Sequence, residues 1–458
     1  MKKNLCWLRR DLRLKDNHAL GRALTEGNET FLCFVFDTRI LSSLNDPLDR
    51  RLTFIIESLQ EIEKQLQDYG SSLIILHGDP VEEIPRLMKD KNLDALYYNR
   101  DYEPYAKLRD QKVEKKLHAL NIKTYSFKDH VFYEKEEIKN GSGKYYQVFT
   151  PYKNKWLETF YNQEKVVPHF NCPSEKLAKH FGDKNVLRHD WWTEIGFIKT
   201  KNEIKGGRED GKKKLRQFRK SISHYHETRD FPFLNATSHL SAYIRMGNIS
   251  IREMINAALE TESKGADVWL NEIIWREFYQ MILDSHPEVE KHCYRRQYDQ
   301  LKWEGKKKDF QDWCNGKTGF PIVDAAMKCL NATGFMHNRL RMIVASFLTK
   351  TLLIDWKKGE RYFAEKLMDY DLASNNGGWQ WCASTGVDAQ PYFRIFNPVT
   401  QSEKFDPEGE FIRKWCPELI YLSNKEIHSP HDIEDYPAPI VSYQEQKVKA
   451  LKMFKLIE

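Results

Sequence analysis

The amino-acid sequence predicts a chain of two unlike parts: an α/β N-terminal domain on a five-stranded, doubly wound parallel sheet, and an all-α C-terminal domain. Three observations carry that prediction. Over the first 130 residues, short apolar and β-branched runs alternate with longer polar-periodic stretches, the pattern of βαβ units whose sheet is covered by helices on both faces. Beyond Gly207 the strand-like runs vanish and apolar residues recur at i, i+3 and i+4, which sets one face of a helix against a core. A length of 458 residues with 41% hydrophobic and 13% aromatic content lets the chain bury about three quarters of its unfolded surface and excludes a disordered or low-complexity protein.

In chain order, the strand-like runs are Leu5–Leu8, Phe31–Phe36, Leu73–Leu76, Ala95–Tyr98 and Ile122–Phe127, with helical stretches between them, Leu48–Tyr69 and Tyr102–Leu120 being the longest. The first strand ends at Arg9 with no G-x-G-x-x-G after it, so a dinucleotide is not expected on this sheet. From 131 to 206 the pattern loosens around Gly141-Ser142-Gly143, several prolines and Trp191-Trp192, and reads as a connector. Within 207–458, Val268–Leu283, Ile322–Leu330, Asn338–Leu353 and Arg361–Leu367 read as buried-face helices. The expected division is therefore 1–130, 131–206 and 207–458.

Charge and cysteine usage bound the function classes. The balance of 72 basic against 66 acidic residues, +6, permits a basic patch without requiring one. The eight cysteines are scattered with no CxxC pair, so reduced thiols are expected, with neither a disulfide framework nor a metal site. The start carries only Leu5–Leu8 as an apolar run before Arg9-Arg10, too short for a signal peptide, and no stretch is long enough to span a bilayer. Three N-x-T sequons, at Asn28, Asn235 and Asn331, are taken as chance matches. A cytoplasmic monomer is the expectation.

Several motifs invite chemistry. Asn315-Gly316-Lys317-Thr318-Gly319 imitates a phosphate loop, but the glycine required five positions before Gly316 is Gln311 and no strand precedes it; it reads as a turn. Lys212-Lys213-Lys214-Leu215-Arg216, followed by Arg219 and Lys220, reads as a solvated helix face or as a general attraction to a polyanion. Glu272, Trp275, Arg276 and Tyr279 fall at i, i+3, i+4 and i+7 and share one helix face. Two aromatics and a guanidinium can sandwich an unstacked base while a carboxylate bonds its edge; the alternative is an amphipathic face with snorkelling ends. Asn338, Arg341 and Met342 share a second face. Between Asp369 and Trp381 lie two carboxylates, two adjacent amides (Asn375, Asn376), Gly377-Gly378 and two tryptophans. Glycines permit close approach to a ligand and amides read polar ring edges; a structural turn with packed tryptophans is the competing reading.

With those residues in view, the chain resembles the DNA photolyase/cryptochrome flavoprotein family, and within it the class I cyclobutane pyrimidine dimer photolyases. The matching runs are Trp7–Arg13, Val268–Tyr279, Lys317–Arg341, Asp355–Tyr362 and Asp371–Phe411, so the likeness spans essentially the whole chain. The resemblance implies an N-terminal antenna-binding domain and a C-terminal helical domain holding FAD in a folded conformation, the flavin acting as FADH⁻. It implies FAD contacts at Tyr225, Thr237, Ser238, His239, Leu240, Ser241, Trp269, Arg341, Asp369, Tyr370 and Asp371, with Asn375 facing flavin N5. Trp379, Trp356 and Trp303 match the family's electron-transfer chain from flavin to surface. Glu272, Trp275, Arg276, Tyr279, Asn338, Arg339, Met342, Trp381, Arg394 and Gln401 match positions that line the lesion pocket or hold DNA.

The implied activity is light-driven repair: UV-damaged DNA is bound, the dimer is flipped out, and an electron from excited FADH⁻ splits its ring and returns. Two positions discriminate within the family. The (6-4) photolyases carry histidines where this chain has Asn338 and Met342, which favours the cyclobutane dimer as substrate. Plant-type cryptochromes carry an acid at the place of Asn375, and the chain ends soon after Glu410-Phe411 without a long signalling tail; a blue-light photoreceptor acting through protein contacts is the alternative. Departures also occur. Asn45 stands where the folate antenna site has a histidine, although Glu103 and Lys291 are retained, so methenyltetrahydrofolate is favoured over a deazaflavin and an empty site is open. His239 replaces the usual Arg or Lys between Ser238 and Leu240.

Overall fold

The computed structural model describes residues 2–164, 166–179 and 191–457; residues 180–190 of the expected connector lie outside the described residues. Five strands form, β1 (Lys3–Leu8), β2 (Glu29–Asp37), β3 (Leu73–Gly78), β4 (Ala95–Asn99) and β5 (Lys123–Phe127). They pair in the order β3-β2-β1-β4-β5, every neighbour parallel. The inner strands β1, β2 and β4 are largely buried on both faces, as a sheet covered by helices on each side requires, whereas edge strand β5, Lys-Thr-Tyr-Ser-Phe, has no buried residue. Trp7, Cys33, Ile74, Leu96 and Tyr98 form one of the sheet's cores with Ile84, Val113 and Leu117 from the crossover helices.

The two long crossover helices run Arg50–Gln67 and Pro104–Ala119. Asp49 caps the first by accepting from Arg51 N, and Pro104 opens the second at a position where no N–H is needed. Two shorter crossovers, His18–Glu26 and Pro80–Asp90, begin on the side-chain caps Asn17 and Asp79. At the strand-order switch between β1 and β4, Arg9 follows β1 and chelates Asp110 with two 2.6 Å bonds. Its guanidinium lies 4.8 Å from the rings of Trp7 and Tyr98, and that of Arg109 lies 4.9 Å from Trp7. The chain's own cations thus gather at the place where open α/β sheets receive ligands.

The chain divides into two compact units, Met1–Tyr145 with Lys153–Lys220 and Ser238–Ser285, and Tyr146–Tyr152 with Ser221–Thr237 and His286–Glu458. The first unit contains a buried ion cluster. Arg13 donates to Asp129 at 2.6 and 2.8 Å, and Arg252 reaches Asp129 at 2.6 Å and Asp16 at 3.0 Å. Ser250, the cap of helix Ile251–Leu259, adds a 2.6 Å bond to Asp16. Burial opposes the charge on Asp129, yet Arg13 and Arg252 hold its pKa down to about 2. The Lys212 run lies in helix Arg208–Arg219, where Leu215 and Phe218 are buried and Lys213 and Arg216 are exposed, the solvated-face reading.

The second unit is helical around Trp313, Leu340, Val344, Trp356, Phe363 and Trp379. Two expected helices have different limits. The run read as Asn338–Leu353 is an α-helix only to Ser346 and continues as a π-helical turn, Phe347–Thr351. The run read as Arg361–Leu367 begins earlier, at Trp356, because Asp355 caps it by accepting from Lys357 N. The false phosphate loop is a turn: Asp324 already accepts from Thr318 N at 2.7 Å and Gly319 N at 3.0 Å, so its N–H groups are taken. Among the described residues no helix is long and apolar enough to cross a membrane, and no His/Cys/Asp/Glu group could hold a metal ion.

Candidate active site

In the first unit, helix Lys264–Ser285 is buried along most of its length, twelve residues being inaccessible. Glu272, Trp275, Arg276 and Tyr279 are all half-buried, so the predicted stripe lies on the accessible side of the helix, which continues toward its start through Asn271, Val268 and exposed Asp267. Trp275 and Tyr279 lie 5.5 Å apart with rings tilted by 34°. Arg276 donates to the His130 carbonyl at 2.9 Å and approaches His130 Nε2 at 2.5 Å, which fixes the guanidinium plane. On the opposite side Glu277 accepts from Trp156 Nε1 and Phe132 N at 2.6 Å and from Tyr133 N at 3.0 Å. Burial pushes its pKa up to about 7 despite these bonds. Glu277 thereby ties this helix to the segment after β5, a role the sequence signalled only by an acid among apolar positions.

Elsewhere in this unit, Trp269 is buried and packs on Phe218 at 5.0 Å. Ser241 opens the short helix Ser241–Arg245, whose cap, Leu240, contributes no side-chain bond to its first N–H groups. Ser238 is half-buried, and His239 adopts a left-handed backbone with φ 52°. Glu103 is held by Arg10 at 2.9 Å and by Arg245 at 3.0 Å.

In the second unit, Asp371 caps helix Leu372–Cys382 by accepting from Ser374 N at 3.1 Å. Ser374, Gly377, Gly378 and Trp381 are half-buried and share one face. A Cβ built on Gly378 would meet nothing within 4 Å, so this face is open. The reverse face is closed. Asn376 donates to the Val289 carbonyl at 2.9 Å and Gln380 to the His292 carbonyl at 3.1 Å, so these amides hold backbone rather than read a ring. Asn375 differs. Its NH₂ donates at 3.0 Å to both the carboxylate and the backbone carbonyl of Glu360, which leaves its amide oxygen as the end for a ligand. Burial, with Glu290 adding to it, pushes Glu360 up to about 7.

The neighbouring helix, Asn338–Ser346, is capped by His337, whose Nδ1 accepts from Arg339 N at 3.1 Å. Burial pulls His337 down to about 4, so its ring is neutral, and its buried Nε2 has no partner among the described residues. Asn338 is exposed and Met342 half-buried. Arg339 pairs with Asp230 at 2.9 Å and covers the Phe405 ring at 4.2 Å. Arg341 chelates Asp369 at 2.8 and 3.0 Å. Tyr370 and Thr237 are half-buried, and Tyr225 is buried beneath Arg229.

The three expected electron carriers follow a gradient: Trp379 and Trp356 are buried and Trp303 is half-buried, edge-on to Phe454. Among the described residues, Trp379 Nε1 is a buried donor without a partner. A Cβ at Gly359 would lie 2.1 Å from the Trp379 ring, so only glycine admits that ring. An open glycine face, an amide oxygen at its edge, an orphaned buried indole N–H and a chelated guanidinium suit a flat, polar-edged ring system such as a flavin. Trp381, Arg394 and Gln401 all belong to this second unit and are half-buried, exposed and half-buried respectively.

Comparison with known proteins adds an independent finding. Residues 4–173 match the family model described as DNA photolyase, and residues 269–456 match the FAD binding domain of DNA photolyase. The deoxyribodipyrimidine photo-lyase of Escherichia coli K12 is 39% identical over 99% of each chain. A class III photolyase from Agrobacterium tumefaciens superposes with a TM-score of 0.90 at 32% identity, covering 100% of this chain and 98% of that one. A cryptochrome from Synechocystis sp. PCC6803 superposes at 0.89 with 27% identity over 99% of both.

Proposed function

The chain belongs to the DNA photolyase family, and from that premise we propose that it repairs cyclobutane pyrimidine dimers in DNA by light-driven electron transfer. The enzyme is a carbon–carbon lyase with FAD as its cofactor. The observation that carries the lesion-pocket reading is that Glu272, Trp275, Arg276 and Tyr279 lie together, half-buried, on the accessible side of a helix whose other side is buried.

Flipping a dimer out of the duplex costs a few kcal/mol, least where pairing is already distorted, so a damaged site is favoured. The family resemblance assigns stacking on the extruded dimer to Trp275 of the first unit and, separately, to Trp381 of the second, and a hydrogen bond to the dimer's edge to Glu272. Arg276, Arg339 and Arg394 neutralise backbone phosphates, with Asn338, Met342, Tyr279 and Gln401 shaping the pocket. Tyr225, Thr237, Ser238, His239, Leu240, Ser241, Trp269, Tyr370, Asp371 and the Arg341–Asp369 pair hold the cofactor. When bound and fully reduced, FAD supplies an electron on excitation and takes it back after the ring opens. Glu360 orients Asn375 so that the amide oxygen accepts a hydrogen bond from a ring N–H. Trp379, when oxidised, is refilled from Trp356 and that ring from Trp303, whose exposure lets an external reductant complete the sequence. We further propose that the protein acts as a cytoplasmic monomer, with a folate antenna at Glu103.

An absorption spectrum of the purified protein followed by blue-light repair of oligonucleotides carrying a cyclobutane dimer or a (6-4) product tests this reading. Bound flavin with repair of the cyclobutane dimer is expected, and bound flavin without any repair would transfer the chain to the photoreceptor reading. Glu272→Ala should lower repair yield by about tenfold or more with flavin content unchanged. Repair equal to the parent protein would remove Glu272 from the pocket.

A further inference from the structure

Lys350 has no part in the scheme above, yet its position is unusual. It lies in the π-helical turn Phe347–Thr351, all five residues of which are buried, and Lys350 itself is 0% exposed. π-Turns are rare and concentrate at functional places. Lysine stems normally carry their charge out to water. This one instead points its ammonium at two acceptors ten residues apart, the Ser384 hydroxyl at 2.8 Å and the Arg394 carbonyl at 3.2 Å. Burial pulls its pKa down to about 7, with the Cys382 thiol opposing the fall. Both bonded acceptors are neutral, so an apolar side chain could fill this volume without stranding an opposite charge. What the ammonium alone adds is the bridge.

The bridge closes a loop. Ser384 follows helix Leu372–Cys382 in a left-handed conformation, φ 62°, which a non-glycine residue holds only when its surroundings impose it. From there the chain stays buried through Val387, bonds Asp388 to Phe149 N at 3.0 Å and Gln390 to the Cys382 carbonyl at 3.1 Å, then emerges. The emergent turn, closed by Arg394 N to the Pro391 carbonyl at 3.0 Å, presents Phe393, 61% exposed, beside exposed Arg394. An exposed aromatic next to a guanidinium is suited to a base face and a phosphate.

We infer that Lys350 is a positioning residue for DNA: by bridging Ser384 and Arg394 it sets the turn that offers Phe393 and Arg394 to the nucleic acid. This rests on reading Arg394 as a DNA contact. Lys350→Met in the full-length, flavin-loaded protein tests it, with Kd for a dimer-containing duplex measured alongside steady-state repair and hydrogen exchange. The expected result is Kd and KM raised by about tenfold with kcat held, the pattern of lost uniform binding. Amide exchange should accelerate over 384–396 while the flavin spectrum stays as in the parent. A lower unfolding midpoint with unchanged Kd and unchanged loop exchange would overturn the inference, since a purely structural lysine gives that result. Ser384→Ala removes one end of the bridge and should shift Kd and loop exchange in the same direction by less; it decides the matter if Lys350→Met does not fold. Arg394→Ala separates the premise. Unchanged DNA affinity there defeats the DNA reading of the turn, and the inference with it. Weakened affinity there beside an unaffected Lys350→Met defeats the inference alone.

Discussion

Asp129 and Glu360 are both carboxylates inside this protein, and their surroundings drive them in opposite directions. Asp129, in the unit that contains the sheet, receives Arg13 and Arg252 and is held at about 2. Glu360, in the helical unit, has the Asn375 amide as its bonded partner and rises to about 7. Burial alone would raise both. Two bonded cations make one a fixed ion inside a structural cluster; the other has the weaker pull of Arg361 against burial and is poised to change charge near neutrality. A raised value alone does not mark a working site, since Glu277 also rises to about 7 while tying backbone; what sets Glu360 apart is that it holds Asn375.

Breaking the paired cluster should produce the largest effect. Arg252→Met removes one cation from both Asp16 and Asp129 and leaves buried negative charge uncompensated, a loss of about 3–5 kcal/mol. Urea unfolding monitored by far-UV circular dichroism measures it. A change below about 1 kcal/mol would mean the cluster is not what holds this part of the fold.

The two carboxylates also predict opposite pH dependences. Asp129 is depressed from 3.8 to about 2, so its contribution is fully present above pH 4 and disappears as pH falls through about 2. Glu360 is raised from 4.5 to about 7. Between those values the folded state binds more protons than the unfolded one, so its contribution declines as pH climbs from about 4.5 to about 7. Glu360→Gln keeps an acceptor for Asn375 and removes the titration. Relative to the parent, it should gain about 2–3 kcal/mol of stability between pH 5 and pH 8. A parent-minus-variant difference flat across that range would show that Glu360 does not titrate there.

How much of this was legible in the sequence follows the same division. The five strands and their parallel arrangement were readable because each is a short apolar run with its own flanking turn, and period and length suffice for that. The Glu272 stripe was readable because charge and aromatics recurred at helical spacing inside an apolar helix. The partners of lone buried polar groups were not. Asn375 meets Glu360 from a separate helix, and Arg13 and Arg252 converge on Asp129 from positions more than a hundred residues away on either side. Periodicity does not encode which side chain lies opposite. The adjacent amides show the limit most clearly: Asn375 and Asn376 looked alike as ring readers, but a 100° step around the helix sends one to Glu360 and the other to the Val289 carbonyl. Lys350 was hidden for a related reason, since nothing local announced that the helix would widen into a π-turn at Phe347.

The smallest expected effect concerns a residue with no side chain. Gly378 lies mid-helix, where alanine is favoured by about 1 kcal/mol unless something occupies the space its methyl would take. Among the described residues nothing does, within 4 Å. In flavin-free protein Gly378→Ala should therefore raise the unfolding free energy by up to about 1 kcal/mol. If this glycine face is the one a planar ligand lies against, the same methyl should weaken flavin retention or dimer binding, and the gain should shrink or reverse once either is bound. Thermal melts of flavin-free, flavin-loaded and dimer-bound protein distinguish the cases. An equal gain in all three would show that the open face of this helix is ordinary solvent-facing surface, and that the ligand site must be sought on the Asn338–Met342 face instead.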